Sequence, residues 1–417
     1  MTFARALAVL ERRQEAKIVL GLARMRRHLL RLGRPQAKLA CFHVAGTNGK
    51  GSTCAMLESV LREAGYKTGL YTSPHLFNVR ERIRLGGRPI PEKDFARLMV
   101  KTTAADPGKE LTYFELLTSI AFQYFAEKGA QAVILETGLG GRLDATNVVA
   151  KPLATLISSI DFDHMAYLGE TLSAIAAEKA GIFKAGVPAF CPGLKPVALK
   201  ILRARARKLG APLAVLRKPW KTVAVDYPRN RQVLSDGRRR WTVGLLGSRQ
   251  GANLALARSA LESSPLGVSE AAWRRGLARL RWPGRFEVRR HGAKTLILDG
   301  AHNPEAMAEL VRTFDASPWG RKPVRWIIGV MKDKDYAGII RAAAPRLSEV
   351  VAVRPPSPRA LDSLTLAREI RRQVPRAHVS VESDPRTALR SWLKTPGAPK
   401  TAVVCGSFYL VGEVSRA

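Results

Sequence analysis

One stretch constrains this 417-residue chain more than any other: Phe42-His43-Val44-Ala45-Gly46-Thr47-Asn48-Gly49-Lys50-Gly51-Ser52-Thr53. An apolar run reads as a buried strand and ends in a glycine-rich turn. A lysine and two hydroxyls then open a helical pattern carried by Ala55, Leu57, Val60 and Leu61. Strand, turn and helix in that order supply what a nucleoside triphosphate needs. Glycines let backbone N–H groups face phosphate oxygens, the helix N-terminus adds a favourable dipole, and Lys50 neutralises charge. Ser52 or Thr53 sits where a hydroxyl can ligate Mg²⁺. The strict phosphate-loop pattern is not met. Val44 stands six positions before Lys50, where that pattern has glycine, and Gly51 separates the lysine from the hydroxyls.

Composition narrows the class. The length suggests two domains, and 46% apolar with 25% charged residues describes an ordinary globular protein. The net charge of +35 is unusual. It fits attraction of anionic substrates, nucleic acid or a membrane surface, but the basic residues are spread widely, with a denser stretch from Lys200 to Arg240. A solvated basic surface is the simpler account. Cys41, Cys54, Cys191 and Cys405 are scattered without CxxC spacing or a His at metal-site distance. They read as reduced thiols of a cytoplasmic protein. Charges run from Arg5 to Lys17 with no apolar leader core, and no stretch nears the roughly 18 apolar residues of a membrane span. A soluble chain is expected.

Along the chain, residues 3–32 have helical periodicity, interrupted near Gly21 and at Gly33. Strand-like runs end at Ala45, cover Ala132 to Leu135, and extend from Leu153 to Ile160, with amphipathic helical patterns between them, notably Phe114 to Lys128. Such alternation predicts a mostly parallel sheet that binds ligands beyond the carboxyl ends of its strands. The phosphate loop, Glu136 and the Asp161–His164 segment should therefore converge. Trp282-Pro283-Gly284-Arg285 breaks the pattern, and further strand-like runs follow: Thr295 to Asp299, Val324 to Val330, Val350 to Val353 and Ala402 to Cys405. The expected division is residues 1–287 and 288–417.

A carboxylate such as Glu136, at a strand end beside a triphosphate site, is a natural ligand for Mg²⁺, which prefers hard oxygen donors. It opens the string Glu136-Thr137-Gly138-Leu139-Gly140-Gly141-Arg142-Leu143-Asp144-Ala145-Thr146-Asn147. Asp163 and His164 follow the third run, and Lys179 lies in Ala176-Ala177-Glu178-Lys179-Ala180-Gly181.

Together these motifs resemble the folylpolyglutamate synthase and dihydrofolate synthase family of the Mur ligase superfamily, most like its bacterial bifunctional members. Gly-Thr-Asn-Gly-Lys-Gly-Ser, with glycine after the lysine, marks that branch, and the matches run in family order from residue 21 to residue 412. The resemblance implies an α/β fold: a P-loop-type ATPase domain with a mostly parallel sheet, plus a smaller Rossmann-like domain. It implies that Thr47, Asn48, Gly49, Lys50, Gly51, Ser52, Asn253, Arg285, Asp299 and His302 bind ATP. Two Mg²⁺ ions would be held by Ser52, Ser73, Glu136, His164 and Lys179 as its carbamate. The pterin-bearing substrate would meet Gly21, Leu22, Arg24, Ser73, Pro74, His75, Thr112, Phe114, Leu143, Asp144 and Ala145. His75 after the proline is the variant of the dihydrofolate synthase and bifunctional enzymes.

The activity so implied is ATP-dependent amide ligation. It joins L-glutamate to 7,8-dihydropteroate and to tetrahydrofolate or folylpolyglutamates through an acyl phosphate, with Lys50, Arg285, His164 and Lys179 at the centre. Because the nucleotide would span both domains, closure of the second is expected before chemistry. A cytoplasmic monomer is expected, with small-molecule substrates and neither nucleic-acid nor membrane partners. Alternatives are one of the two activities alone, or a nucleic-acid-stimulated NTPase exploiting the +35 charge. A cell-wall Mur ligase would carry a further domain ahead of the loop at Gly46.

Overall fold

A computed structural model of the protein describes residues 1–13, 18–217 and 220–416. Two compact units are interleaved in sequence: residues 1–219 with 252–279, and residues 220–251 with 280–417. The helical pattern expected over residues 3–32 appears as helices Phe3–Glu11 and Ala23–Arg31, and its portion at 14–17 lies outside the described residues.

The first unit holds an eight-stranded sheet of β1 (Cys41–Ala45), β2 (Thr68–Tyr71), β3 (Ile83–Leu85), β4 (Arg88–Pro89), β5 (Ala132–Glu136), β6 (Ala154–Ile157), β7 (Ala189–Pro192) and β8 (Leu213–Leu216). Their order is β4-β3-β2-β5-β1-β6-β7-β8, parallel from β2 to β8 with β3 and β4 antiparallel at one edge. The expected parallel α/β architecture is what forms. Burial on both faces explains the unbroken apolar runs: every residue of β1 and β5 is buried. One core gathers Phe95, Phe122 and Phe125 with β2 and β5; another gathers Ile157, Ile175, Phe183 and Leu202. Between them β1 has β5 on one side and β6 on the other, while the chain leaves β1 for β2 beyond β5. Connections thus diverge at the carboxyl end of β1, where such sheets bind ligands.

The second unit combines a six-stranded sheet with an antiparallel three-stranded one. The latter comprises β9 (Lys221–Asp226), β10 (Arg231–Ser235) and β11 (Arg240–Val243). The larger contains β12 (Glu287–His291), β13 (Lys294–Leu298), β14 (Val324–Ile328), β15 (Glu349–Ala352), β16 (His378–Val381) and β17 (Thr401–Cys405), ordered β12-β13-β17-β14-β15-β16. Only β12 is antiparallel to its neighbour. The single boundary expected at 287/288 differs from this division. Residues 220–251 join the second unit, and β9, with most of its residues exposed, carries too little burial pattern to announce them.

His43 interrupts the apolar run of β1 and is fully buried. Its Nε2 lies 2.8 Å from the Thr146 hydroxyl. That hydroxyl donates to Asp144, so His43 donates through Nε2 and keeps Nδ1 unprotonated. Burial, with a smaller effect of Lys184, holds the imidazole pKa down at about 3. The unfolded chain takes up this proton near pH 6.5 and the folded chain only near pH 3, so stability falls as pH drops through that window. Urea unfolding at stepped pH should show this loss, and His43→Gln should be less steep by up to about 1.4 kcal/mol per pH unit. Equal slopes would remove His43 from the acid response.

Candidate active site

Four loops meet at the carboxyl edge of the first sheet, following β1, β2, β5 and β6. The turn after β1 depends on two glycines. Gly49 caps helix Lys50–Glu63 at φ +85°, and a Cβ there would lie 2.7 Å from Asn253 Oδ1. At Gly46 a Cβ would lie 2.0 Å from Ser158 Oγ. The turn is clamped by the segment after β6. Thr47 N–H donates to the Ser159 carbonyl at 3.0 Å, and Asn48 N–H donates to Ser159 Oγ at 2.8 Å. The Thr47 hydroxyl donates to the Asp161 carbonyl and accepts from the Asp161 N–H, both at 3.0 Å. Ser158 Oγ donates to the Asn48 carbonyl at 2.7 Å.

These bonds divide labour within the loop. The N–H groups of Thr47 and Asn48 hold its shape, leaving the first-turn N–H groups that lack intrahelical acceptors as the anion donors. Lys50 Nζ reaches back to the carbonyls of Gly46 and Thr47 at 2.9 and 3.1 Å, so its charge lies over the loop. Of the two candidate hydroxyls, Thr53 is committed: it donates to the Gly49 carbonyl at 3.0 Å and lies 3.3 Å from Asn253 Oδ1. Ser52 remains the candidate metal ligand. It is buried beside Thr53 in the first helical turn.

Glu136 ends β5, buried, and accepts from the Ser73 N–H at 3.2 Å. The buried Cys54 thiol feels both Glu136 and Lys50, so this carboxylate and the loop lysine share one neighbourhood. Ser73 precedes a cis Pro74, and His75 Nδ1 accepts from Arg82 Nε at 2.8 Å. His164 sits at φ +52° beside Asp163, in the left-handed region where His is tolerated better than most residues. Lys179, near the end of helix Leu172–Ala180, is buried. Burial first, then repulsion by Lys50, brings its amine down to a pKa of about 7, against the pull of Asp163, Asp144 and Glu178.

Among the described residues no three His, Cys, Asp or Glu side chains gather as a metal-binding group. The donors available are serine hydroxyls, one carboxylate, one imidazole and an amine able to become a carbamate. That set suits Mg²⁺, which retains waters and completes its shell with substrate phosphates.

The residues expected on the substrate side are held by contacts of their own. Thr112 and Glu115 form a capping box on helix Tyr113–Glu127, and Arg24 pairs with Glu115 at 3.2 Å. Phe114 packs against the backbone of Gly138 and lies 5.7 Å from the Tyr71 ring. Leu22 precedes helix Ala23–Arg31, and Gly21 turns the chain before it at φ +135°. Asp144 accepts from the N–H groups of Leu139 and Thr146 at 2.9 and 3.0 Å and from the Thr146 hydroxyl, so its carboxylate organises the loop that carries Leu143 and Ala145.

In the second unit, Arg285, Asp299 and His302 lie together. Asp299 is half-buried and accepts from the N–H groups of Phe286 and Ala301, each at 2.8 Å; desolvation raises its pKa despite Arg285. The Arg285 guanidinium stands 4.5 Å above the Phe408 ring. His302 Nδ1 donates to the Gly300 carbonyl at 2.8 Å. Sequence reasoning missed Ser158 and Ser159 as loop clamps, Arg82 behind His75, and Phe408 beneath Arg285. Only Phe408 carried a signal, as an aromatic placed directly after a strand and turn.

Two family models match the chain: Mur ligase middle domain over residues 44–190, and Mur ligase, glutamate ligase domain, over residues 284–408. A dihydrofolate synthase/folylpolyglutamate synthase of Bacillus subtilis is 34% identical over 417 residues, spanning 95% of this chain and 94% of its own. The structure of Escherichia coli FolC in complex with DHPP and ADP superposes with a TM-score of 0.88 at 34% identity, covering 100% of this chain and 97% of that one. A Yersinia pestis bifunctional folylpolyglutamate synthase/dihydrofolate synthase, complexed with AMPPNP and Mn ion, gives 0.85 at 33% identity, covering 100% and 98%.

The geometry at Gly49 makes a direct prediction. Gly49→Ala forces a left-handed alanine against Asn253, at a cost of about 1–2 kcal/mol, so affinity for a fluorescent ATP analogue should drop about tenfold. Unchanged affinity would separate the loop from nucleotide binding.

Proposed function

Since the chain belongs to the dihydrofolate synthase/folylpolyglutamate synthase family of Mur ligases, we propose that it joins L-glutamate to 7,8-dihydropteroate and to reduced folates at the expense of ATP. The observation that carries this reading is the convergence of the clamped phosphate loop, Lys50, Glu136 and the Asp163–His164 segment at one sheet edge.

The acceptor's carboxylate attacks the γ-phosphorus of ATP, ADP leaves, and an acyl phosphate forms. The α-amine of glutamate adds to the acyl carbon, loses a proton, and the tetrahedral adduct expels phosphate to leave an amide. No side-chain nucleophile is required. First-turn N–H groups and Lys50 bind the phosphates, Lys50 exchanging the carbonyls of Gly46 and Thr47 for phosphate oxygens. Fixed positive charge aimed at the transferring group is the main catalytic resource in such reactions. Asn253, Arg285, Asp299 and His302 serve as nucleotide-binding residues. Phe114, Arg24 and the loop ordered by Asp144 hold the pterin side.

Ser52, Ser73, Glu136, His164 and carbamylated Lys179 would hold two Mg²⁺ ions, which when bound supply charge against the phosphate oxygens. Lys179 suits that role because its amine is already half neutral near pH 7, and a neutral amine takes up CO₂ with loss of a proton to give an anionic oxygen donor. Four buried free cysteines support a reducing, cytoplasmic setting for it. We take it to act as a monomer.

Glutamate-dependent phosphate release with ATP and Mg²⁺ tests the proposal, using 7,8-dihydropteroate and tetrahydrofolate separately. Turnover with both supports the bifunctional reading, and turnover with one assigns a single activity. Silence with both, in protein that binds ATP, overturns the ligase assignment. Lys179→Ala should lose activity about 100-fold or more, in the range of removing one electrostatic contributor to a transition state. Full activity would discard the carbamate.

A further inference from the structure

A second basic feature lies apart from the phosphate loop. A cavity of about 500 Å³ opens in the first unit, within the size range of small-molecule sites, and its wall includes none of residues 46–53. Arg26, Arg142, Lys151, Lys184 and Arg205 contribute to that wall, and among the described residues no carboxylate does. They come from separate places: helix Ala23–Arg31, the loop after β5, the turn before β6, the segment after helix Leu172–Ala180, and helix Pro196–Leu209.

Arg142 is neutralised by Glu178 at 2.7 Å. Arg26, Lys151 and Arg205 make no ion pair among the described residues. Lys184 is half-buried and held in place, donating to Asn147 Oδ1 at 2.8 Å and to the Asn147 carbonyl at 3.3 Å. Burial, then Arg26 and Arg205, lower its pKa to about 8. A fixed lysine facing two guanidiniums without a counter-charge is relieved by a bound anion.

The position of the cavity indicates which anion. Its wall includes Leu22, one of the proposed substrate residues, while Arg142 and Asn147 flank Leu143–Ala145. It therefore borders the proposed folate wall. Charge accounting agrees: each ligation consumes one carboxylate and introduces two, so every added glutamate makes the folate more anionic by one. We propose that this basic cleft binds the α-carboxylates of an oligo-γ-glutamyl chain on the acceptor, a role that rests on the ligase reading above. Dihydropteroate, with a single carboxylate committed to phosphoryl transfer, would gain little from it. The cleft thus favours acceptors that already carry a tail.

The test pairs a charge-neutralised cleft with a matched control. Arg26→Gln, Lys151→Gln and Arg205→Gln are combined in one variant. A control neutralises Arg203, Arg207 and Lys208, which lie on the same helix as Arg205 but outside the cavity wall. Calorimetry with tri-γ-L-glutamate as the probe should show saturable, salt-weakened binding to wild type and control, and at least about tenfold weaker binding to the cleft variant at low ionic strength. In steady-state kinetics, the ratio of KM for tetrahydropteroyl triglutamate to KM for 7,8-dihydropteroate should rise by a similar factor in the cleft variant alone. No saturable peptide binding to wild type, or equal losses in cleft variant and control, overturns the proposal. Peptide binding lost selectively in the cleft variant, in a protein that ligates no glutamate, supports the anion cleft and rejects the ligase reading instead.

Discussion

The bonds between residues 47–48 and residues 158–161 fix the geometry on which the rest of the site depends. A loop that must present N–H groups to a polyanion cannot also satisfy them internally, so its shape has to be held from outside. Here the hydroxyls of Thr47, Ser158 and Ser159 do that work, each bonding across to the backbone of the other segment. The parallel register makes it possible: β1 and β6 are neighbours, paired from Phe42 with Ala154 to Ala45 with Ile157, so their following loops leave the sheet side by side. Breaking one such bond in a buried setting leaves a polar group unsatisfied and costs about 1–3 kcal/mol. The preorganisation of the phosphate loop is therefore a property of two strands, not of the glycine-rich sequence alone.

The same economy appears around Asp144. Its oxygens are taken up by Leu139, Thr146 and the Thr146 hydroxyl, and that hydroxyl is in turn oriented by His43 within β1. A strand residue buried under the sheet thus reaches the loop that carries Leu143 and Ala145. Burial keeps His43 neutral, which preserves the acceptor–donor order of the chain. The loop's far side rests on helix Leu172–Ala180, where Arg142 N–H donates to the Glu178 carbonyl at 2.7 Å. The 138–147 loop and the helix carrying Lys179 are thus joined through Arg142 and Glu178.

Much of this was legible in the sequence because it is local. The strand–turn–helix at residues 42–61, the carboxylate ending β5 and the alternation of buried runs with amphipathic helices each fall within a short window. Parallel topology then forces their carboxyl ends together. What was not legible depends on distant pairing. The run from Leu153 to Ile160 read as one strand, yet β6 stops at Ile157 because Ser158 and Ser159 turn to clamp a loop more than 100 residues earlier. The β9–β11 sheet is short and largely exposed on β9, so neither period nor burial revealed its membership in the second unit. Arg82, holding His75 and lying 5.4 Å from the Tyr113 ring, looked like one more charge in a basic chain. Asp144 was readable in principle, since Asp-Ala-Thr is a short-range capping pattern.

The central claim is that the edge of the first sheet transfers a phosphoryl group to a carboxylate before nitrogen attacks. Oxygen tracing tests it most directly. 7,8-Dihydropteroate labelled with ¹⁸O in its carboxylate is turned over with ATP and L-glutamate, and the released phosphate is examined by mass spectrometry. The account predicts one ¹⁸O in each phosphate, carried from the acceptor through the acyl phosphate. Phosphate free of label during amide formation would contradict it.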